Sequence, residues 1–458
     1  MAGIGFELRR LLRNKSFFGM LRAYGFAGAI SSGPWLLSIG SVLAIGILGR
    51  DTGEAGRQMV RFQISVTYLI ATTLILTGGL QLALSRFVAD RLFEKKPYLV
   101  LPNLLGAITI VSVASGALGT LLVSALFRES LAYRVLLVAT FVTLSNIWLV
   151  VVVLSSMKAY RQVLLAFALG CSIVVGAALL LRPFGLPGML LGFLLGHAVL
   201  MFFLLALVMR SFPGQGLVAF HFLERERFYP TLFLTGLVYN LALWADKFAF
   251  WYNPATSDPV IGPLRASLIY DIPIFLSYLS IVPGMSVFLV RVETDFAERY
   301  DAFYDAVRNG DTLDNLERLK DAMVYVVRQG IYEILKVQGL TVILLILCGR
   351  QILATLGISQ GYLHLFYVDV VAAGLQVLLL SILNIFFYLD QRRITLGLSF
   401  LFLLTNTVFT VVSQQLGPSY YGYGFAAAML LTSLVGLGLL SAKLDSLEYE
   451  TFMMQHFA

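Results

Sequence analysis

Apolar runs of about twenty residues recur along the whole chain, and each is long enough to cross a hydrocarbon core near 30 Å. They fall near 23–48, 60–84, 99–127, 135–157, 163–181 and 189–209, then 231–252, 267–290, 331–348, 367–389, 394–416 and 425–442. Charge or helix-breaking residues stand where each run should stop, as at Lys95-Lys96-Pro97, Arg182-Pro183, Phe212-Pro213-Gly214, Asn253-Pro254, Arg392-Arg393 and Gly417-Pro418. The pattern predicts an all-α integral membrane protein of about twelve transmembrane helices. The first run has 26 residues, longer than the apolar core of a signal peptide, and is read as an uncleaved first span.

Two stretches between the runs carry a different period. In Met1 to Arg22, Leu8, Leu11, Leu12 and Leu21 alternate with Arg9, Arg10, Arg13 and Lys15, which predicts an amphipathic segment at the membrane surface. In 291–330, Val292, Phe296, Phe303 and Val307 share one helical face, and Leu313, Leu316, Lys320, Met323 and Val327 nearly repeat it after Asn309-Gly310-Asp311. This predicts a helical hairpin outside the membrane, with Asp295–Arg299 and Asp314–Arg318 as i,i+4 pairs on its exposed sides. Its aromatic face of Phe296, Tyr300, Phe303 and Tyr304 is a candidate docking surface for a cytoplasmic partner; the alternative is a hairpin that packs on the membrane surface.

The connection 210–230, with Glu224-Arg225-Glu226-Arg227, divides the runs into six and six. The predicted organisation is an N-terminal segment 1–22, a six-helix bundle 23–209, a linker 210–230, a second six-helix bundle 231–442 bearing the hairpin 291–330, and a tail 443–458. Such a division is common in transporters built from two repeated bundles. With the N-terminus inside, the cytoplasmic segments hold 23 Lys and Arg against 8 on the other face, so the positive-inside rule places both termini in the cytoplasm of a multi-pass protein.

Composition agrees with this picture. Of 458 residues 59% are hydrophobic and 13% charged, with a mean hydropathy of +0.84, so the bilayer is the solvent for most of the chain. The net charge of +7 then reads as cytoplasmic-face bias and not as nucleic-acid binding. Cys171 and Cys348 sit within apolar runs and read as buried packing residues, and the four histidines give no metal-ligand spacing. There is no Gly-Lys dipeptide for a phosphate-binding loop, no Asp-x-Asp, no Gly-x-Ser-x-Gly and no His-Glu-x-x-His. These absences disfavour direct use of ATP and an enzymatic role, and neither cofactor nor metal is expected.

What remains are ionisable residues within spans or at their edges, which are costly in hydrocarbon and mark pathways or internal pairs. Asp246 and Lys247 stand mid-span, Glu333 and Lys336 share a face at i,i+3, Asp271 precedes Ile272-Pro273, and Asp369 opens the tenth run. All six are candidates for a substrate or ion pathway; the competing reading is a salt bridge that locks helices, such as Asp246 or Glu333 with a lysine. Pro34, Pro273 and Pro283-Gly284 interrupt apolar runs and are hinge candidates.

The opening Met-Ala-Gly-Ile-Gly-Phe-Glu-Leu-Arg-Arg-Leu-Leu, the run Tyr24-Gly-Phe-Ala-Gly-Ala-Ile-Ser-Ser-Gly-Pro-Trp35 and the run Tyr270-Asp-Ile-Pro-Ile-Phe-Leu-Ser-Tyr-Leu-Ser-Ile-Val-Pro-Gly284 resemble the PelG family of Pel exopolysaccharide transporters, over essentially the whole chain. That family is similar to the multidrug/oligosaccharidyl-lipid/polysaccharide (MOP) flippase superfamily, whose fold is two six-helix bundles around a central cavity. The resemblance implies export of a cationic, partly deacetylated galactosamine-rich polymer across the inner membrane for a biofilm matrix. It also implies three partners: a cytoplasmic glycosyltransferase, a cyclic-di-GMP receptor in the membrane and a membrane-anchored scaffold protein. It assigns no functional residues. Alternating access for short units and a conduit for a growing polymer both stay open. So do a cation-coupled antiporter of drugs or lipid-linked oligosaccharides and a non-transporting scaffold of a synthase complex.

Overall fold

The structure is a computed structural model, describing residues 53–155, 160–212, 214, 216–225 and 227–453, with 24–25, 27–28, 37–42, 44–46 and 48–49 of the preceding chain. The amphipathic segment 1–22 and Pro34 lie outside the described residues. Among the described residues ten helices are long and apolar enough to cross a membrane, and a shorter apolar helix runs over Leu37–Gly46. The helix Pro230–Tyr252, expected as a span, has 23 residues but is not among those ten, since the buried Asp246-Lys247 pair and other polar residues lower its hydropathy.

The chain forms two compact units, one over 33–268 and one over 269–458 that also takes in the described residues 24–25 and 27–28, which the apolar pattern assigns to the first bundle. The first contains α1 (Glu54–Phe93), α2 (Val100–Leu126), α3 (Leu131–Ser155), α4 (Tyr160–Leu180), α5 (Gly185–Ser211) and α6 (Pro230–Tyr252). Its boundary differs from the predicted one, because α6, assigned by sequence to the second bundle, packs against α1. The physical reason is a glycine contact. A Cβ on Gly236 would lie 2.2 Å from the carbonyl oxygen of Gly78, so the two backbones meet at a distance only glycine permits.

The spine of this unit is α1, which packs on α3 and α6. Its polar positions are satisfied within the helix: the hydroxyls of Thr72, Thr73 and Thr77 donate to the carbonyls of Tyr68, Leu69 and Thr73 at 2.6–2.7 Å. Hydroxyls bonded in this way can be buried without leaving an unpaired group in an apolar surround. Thr73 Oγ1 in addition accepts from Trp148 Nε1 of α3 at 3.0 Å.

After α6 the all-helical pattern is interrupted by a small antiparallel hairpin, β1 (Asp258–Ile261) with β2 (Leu264–Ala266), turning at Gly262 with φ +50°. Arg265 staples it, its Nε and Nη2 reaching Ser257 Oγ and O at 2.9 and 2.7 Å, while Tyr68 Oη of α1 donates to the Arg265 carbonyl at 3.0 Å.

The second unit begins with a broken rod. Helix α7 (Leu268–Ser277) contains Pro273, a 3-10 turn covers Tyr278–Ile281, α8 (Val282–Val290) starts with Pro283, and a π-helical turn Arg291–Phe296 leads into α9 (Ala297–Arg308). Next come α10 (Leu313–Thr355), α11 (Leu363–Tyr388), α12 (Arg392–Leu416), α13 (Tyr423–Asp445) and the short α14 (Leu447–Met453). The turn between α9 and α10 falls at Asn309-Gly310-Asp311, where Gly310 has φ +67°. The second arm of the hairpin and the following span are one helix of 43 residues, with no break near residue 330. Lys320 Nζ reaches Glu448 Oε1 at 2.8 Å, so α14 is tied to the outer part of α10.

The exposed-side pairs predicted for the hairpin are replaced by others. Asp295 binds Arg291, one turn before it instead of one turn after, and Arg318 Nη2 donates to Asn315 Oδ1 at 2.7 Å. Cys171 is buried as expected, whereas Cys348 is exposed on the outer face of α10.

Candidate functional site

The buried charges predicted from sequence are sorted by the fold into three environments. In the first unit Asp246 and Lys247 are 0% and 1% exposed, and they pair with each other: Lys247 Nζ lies 2.9 Å from Asp246 Oδ2 and donates to the Leu243 carbonyl at 3.0 Å. Neighbouring positions on a helix point about 100° apart. The long lysine stem folds back along α6 and closes that angle. Around the pair α6 is aromatic, with Trp251 stacked on Tyr68 at 4.4 Å and edge-on to Phe248 at 5.2 Å. In so apolar a setting the pair offsets much of the cost of burying either charge, and removing one partner takes from the other the opposite charge it holds at 2.9 Å.

In the second unit Asp369 of α11 is fully buried and Asp271 of α7 is 6% exposed. Asp271 sits in the first turn of its helix, where free N–H groups favour a carboxylate. Asp369 lies against Gly422, at the N-terminal boundary of α13. A Cβ on Gly422 would come 3.0 Å from Asp369 Oδ1 and 2.4 Å from Leu365 Cδ1, and its φ of +85° favours glycine as well.

The third environment surrounds the π-helical turn. Glu333 and Lys336, expected as neighbours on one face, are not paired. Glu333 is held from the other side by Arg291, whose Nε and Nη2 donate to Oε2 and Oε1 at 2.6 and 2.9 Å, while Arg291 Nη1 donates to Asp295 Oδ2 at 2.5 Å. Gln329 Nε2 adds a bond to Glu333 at 3.0 Å. Lys336 points outward and is exposed. The planar guanidinium satisfies two carboxylates at once, which an ammonium three residues along the same helix cannot match.

Sequence reasoning missed Glu293, 6% exposed, which accepts from Tyr388 Oη at 2.9 Å. It also missed Gln338. The Nε2 of that residue donates to the Ser280 carbonyl at 3.1 Å, while its Oε1 and the Ser280 hydroxyl have no partner among the described residues. Pro283 and the 3-10 turn free carbonyls at this depth, and Gln338 caps one of them. The hinge candidate Gly284 is a packing glycine, since its Cβ would meet Gln338 Oε1 at 2.5 Å. Pro273 lies inside α7, and Pro283 opens α8 just beyond the break.

The aromatic docking face is corrected by burial. Phe296 and Phe303 are 1% and 0% exposed, and Tyr300 and Tyr304 are half-buried. Phe296 and Tyr300 close on Tyr388 with ring centroids 5.4 and 5.7 Å away, so this face is core of the second unit. An amphipathic helix shows which side is apolar but not what covers it. The exposed aromatic residues of this region are Tyr325 and Tyr332 of α10, seven residues apart on one side.

Buried carboxylates of this kind can hold a proton, a cation or a protonated amine. Among the described residues no three His, Cys, Asp or Glu side chains converge in a way that would hold a metal ion.

In three-dimensional structure the chain is similar to transporters of the MOP superfamily. An outward-facing multidrug resistance MATE family transporter matches with a TM-score of 0.65 and 16% identity, over 92% of this chain and 96% of that one. An inward-facing MATE family transporter matches with 0.61 and 14%, over 91% and 96%. A MOP superfamily transporter from Pyrococcus furiosus, described by a binding pocket of reversed polarity, matches with 0.61 and 15%, over 92% and 96%. At such identities the likeness establishes the fold, that of a multi-pass MATE-type transporter. No curated protein matches in sequence. The family described as "PelG: Putative exopolysaccharide Exporter (EPS-E)" matches residues 1–452. The chain belongs to this PelG family of exopolysaccharide exporters, on a MOP transporter fold.

Proposed function

We propose that the chain moves a cationic, amino-sugar polymer of the Pel type, or short units of it, across the bacterial inner membrane to the periplasm while a cytoplasmic glycosyltransferase extends it. The family match over residues 1–452 carries this reading. Orientation follows the lysine and arginine bias, with both termini and the hairpin in the cytoplasm. In that orientation the outer face of the hairpin, where Tyr325 is 66% exposed among charged neighbours, is available to the glycosyltransferase or to the membrane-anchored partners.

The buried carboxylates divide the work. Asp246 has its own lysine at 2.9 Å and is already neutralised, so it acts as a lock in the first unit. Asp271 and Asp369, 6% and 0% exposed in the second unit, are the carboxylates assigned to a protonated amine or a coupling cation. The test is a strain from which the chain is deleted while polymer synthesis in the cytoplasm is kept. Hexosamine polymer should be absent outside the cell and restored by the wild-type chain, with Asp369→Asn restoring much less at equal membrane abundance. Undiminished export in the deleted strain would refute the exporter role, and undiminished export by Asp369→Asn would remove that carboxylate from the pathway.

A further inference from the structure

Helix α1 has 40 residues, about 60 Å of rise, roughly twice the thickness of a hydrocarbon core. Its apolar sequence ends at Leu84, and the segment Arg86 to Phe93 carries Arg86, Asp90 and Arg91 over about another 10 Å of rise. That rise is enough to cross the headgroup layer, about 5–8 Å deep on each side. A pocket of about 270 Å³ opens there, within the first unit, lined by Phe87, Asp90, Arg91, Glu94, Arg227 and Tyr229.

Arg91 is the unusual member. It is 6% exposed, its guanidinium lies over the Phe87 ring at 5.3 Å, and its one hydrogen bond among the described residues runs from Nη2 to Glu94 Oε1 at 2.6 Å. Its Nε is buried with no hydrogen-bond partner among the described residues. A guanidinium has five N–H donors, and burying it with one satisfied is costly unless another acceptor arrives.

The carboxylates of the pocket cannot be that acceptor. Asp90 is engaged by Arg86 at 3.0 Å and by Tyr229 Oη at 3.0 Å, and the Arg86 guanidinium lies over the Tyr229 ring at 5.6 Å. Glu94 is shared with Lys96 at 3.2 Å, and Arg227 pairs with Glu224 at 3.0 Å. Among the described residues the carboxylates Asp90, Glu94 and Glu224 are thus each already engaged by a cation.

We propose that this pocket holds the phosphodiester of an anionic phospholipid headgroup, bound between Arg91 and Arg227. A phosphodiester brings anionic oxygen acceptors to the donors that Arg91 leaves unused, and at a membrane surface the abundant source of that group is a phospholipid. Phe93, 80% exposed on the same rim, offers apolar surface to an acyl chain. Basic pockets at the ends of membrane helices bind lipid headgroups by this chemistry.

The test uses the full chain, purified in detergent and freed of lipid, then titrated with dioleoylphosphatidylglycerol or dioleoylphosphatidylcholine in mixed micelles and read by native mass spectrometry. One phosphatidylglycerol should be retained per chain, at least about tenfold more tightly than phosphatidylcholine, and Arg91→Gln and Arg227→Gln should each weaken it about tenfold. Arg227 is half-buried on the surface, so its variant keeps the test valid where Arg91→Gln fails to fold. Equal retention of the two lipids, or retention unchanged in Arg227→Gln, would overturn the proposal. Displacement of phosphatidylglycerol by equimolar inorganic pyrophosphate would overturn the lipid assignment in favour of a soluble phosphate.

Discussion

Replacing Asp246 with asparagine removes the negative half of a pair whose members are 0% and 1% exposed. At the observed 2.9 Å the gross attraction is roughly 6 kcal/mol at an effective dielectric of 20. Desolvation offsets much of this while the pair is intact. Once Asp246 is neutral, Lys247 keeps its burial and loses its counter-charge, and the loss of stability should be about 3–5 kcal/mol. Lys247→Met alone should cost a similar amount by removing the ammonium that lies 2.9 Å from the carboxylate. The double variant Asp246→Asn/Lys247→Met should recover most of it, because neither charge remains.

Thermal unfolding of the four proteins in one detergent gives the cycle, and polymer export in cells gives the function beside it. Recovery of both stability and export in the double variant would establish the pair as a lock. Recovered stability with export still lost would give Asp246 a part in transport. Single variants as stable as wild type would refute the reasoning about burial altogether.

Two further changes probe packing and the π-helical turn. Gly236→Ala places a methyl group 2.2 Å from the Gly78 carbonyl oxygen, so α1 and α6 must separate at a cost of about 1–3 kcal/mol. Gly397→Ala, with nothing within 4 Å of its Cβ, should be neutral or stabilising by up to about 1 kcal/mol in the same unfolding assay. Arg291→Lys keeps the charge but loses the two-pronged grip on Glu333, which should cost about 1–2 kcal/mol and raise amide exchange selectively over 291–308.

The spans and the hairpin turn were legible because both are written locally, in runs of apolar residues and in Asn309-Gly310-Asp311. Partners across sequence distance were not. Glu333 shares a helical face with Lys336, and only the fold reveals Arg291, 42 residues earlier, as its counter-ion. The same limit hid Glu293 beneath Tyr388 and turned Phe296 and Phe303 from a supposed surface into core. Periodicity names a face without naming what lies against it. The assignment of α6 to the first unit depends on Gly78 and Gly236, which in sequence are two among 40 glycines, and the small strands after α6 are too short for an alternation to register.

The 43-residue helix α10 joins the outer arm of the hairpin to a span without a joint, a rigid rod of about 64 Å. The Arg291 fork grips it at Glu333, near its middle, so the rod has a fulcrum with arms of comparable length on either side. A load on the outer arm is then returned at the other end with similar travel and opposite sense, so that an enzyme seated on the hairpin would exert torque on the span without touching the bilayer.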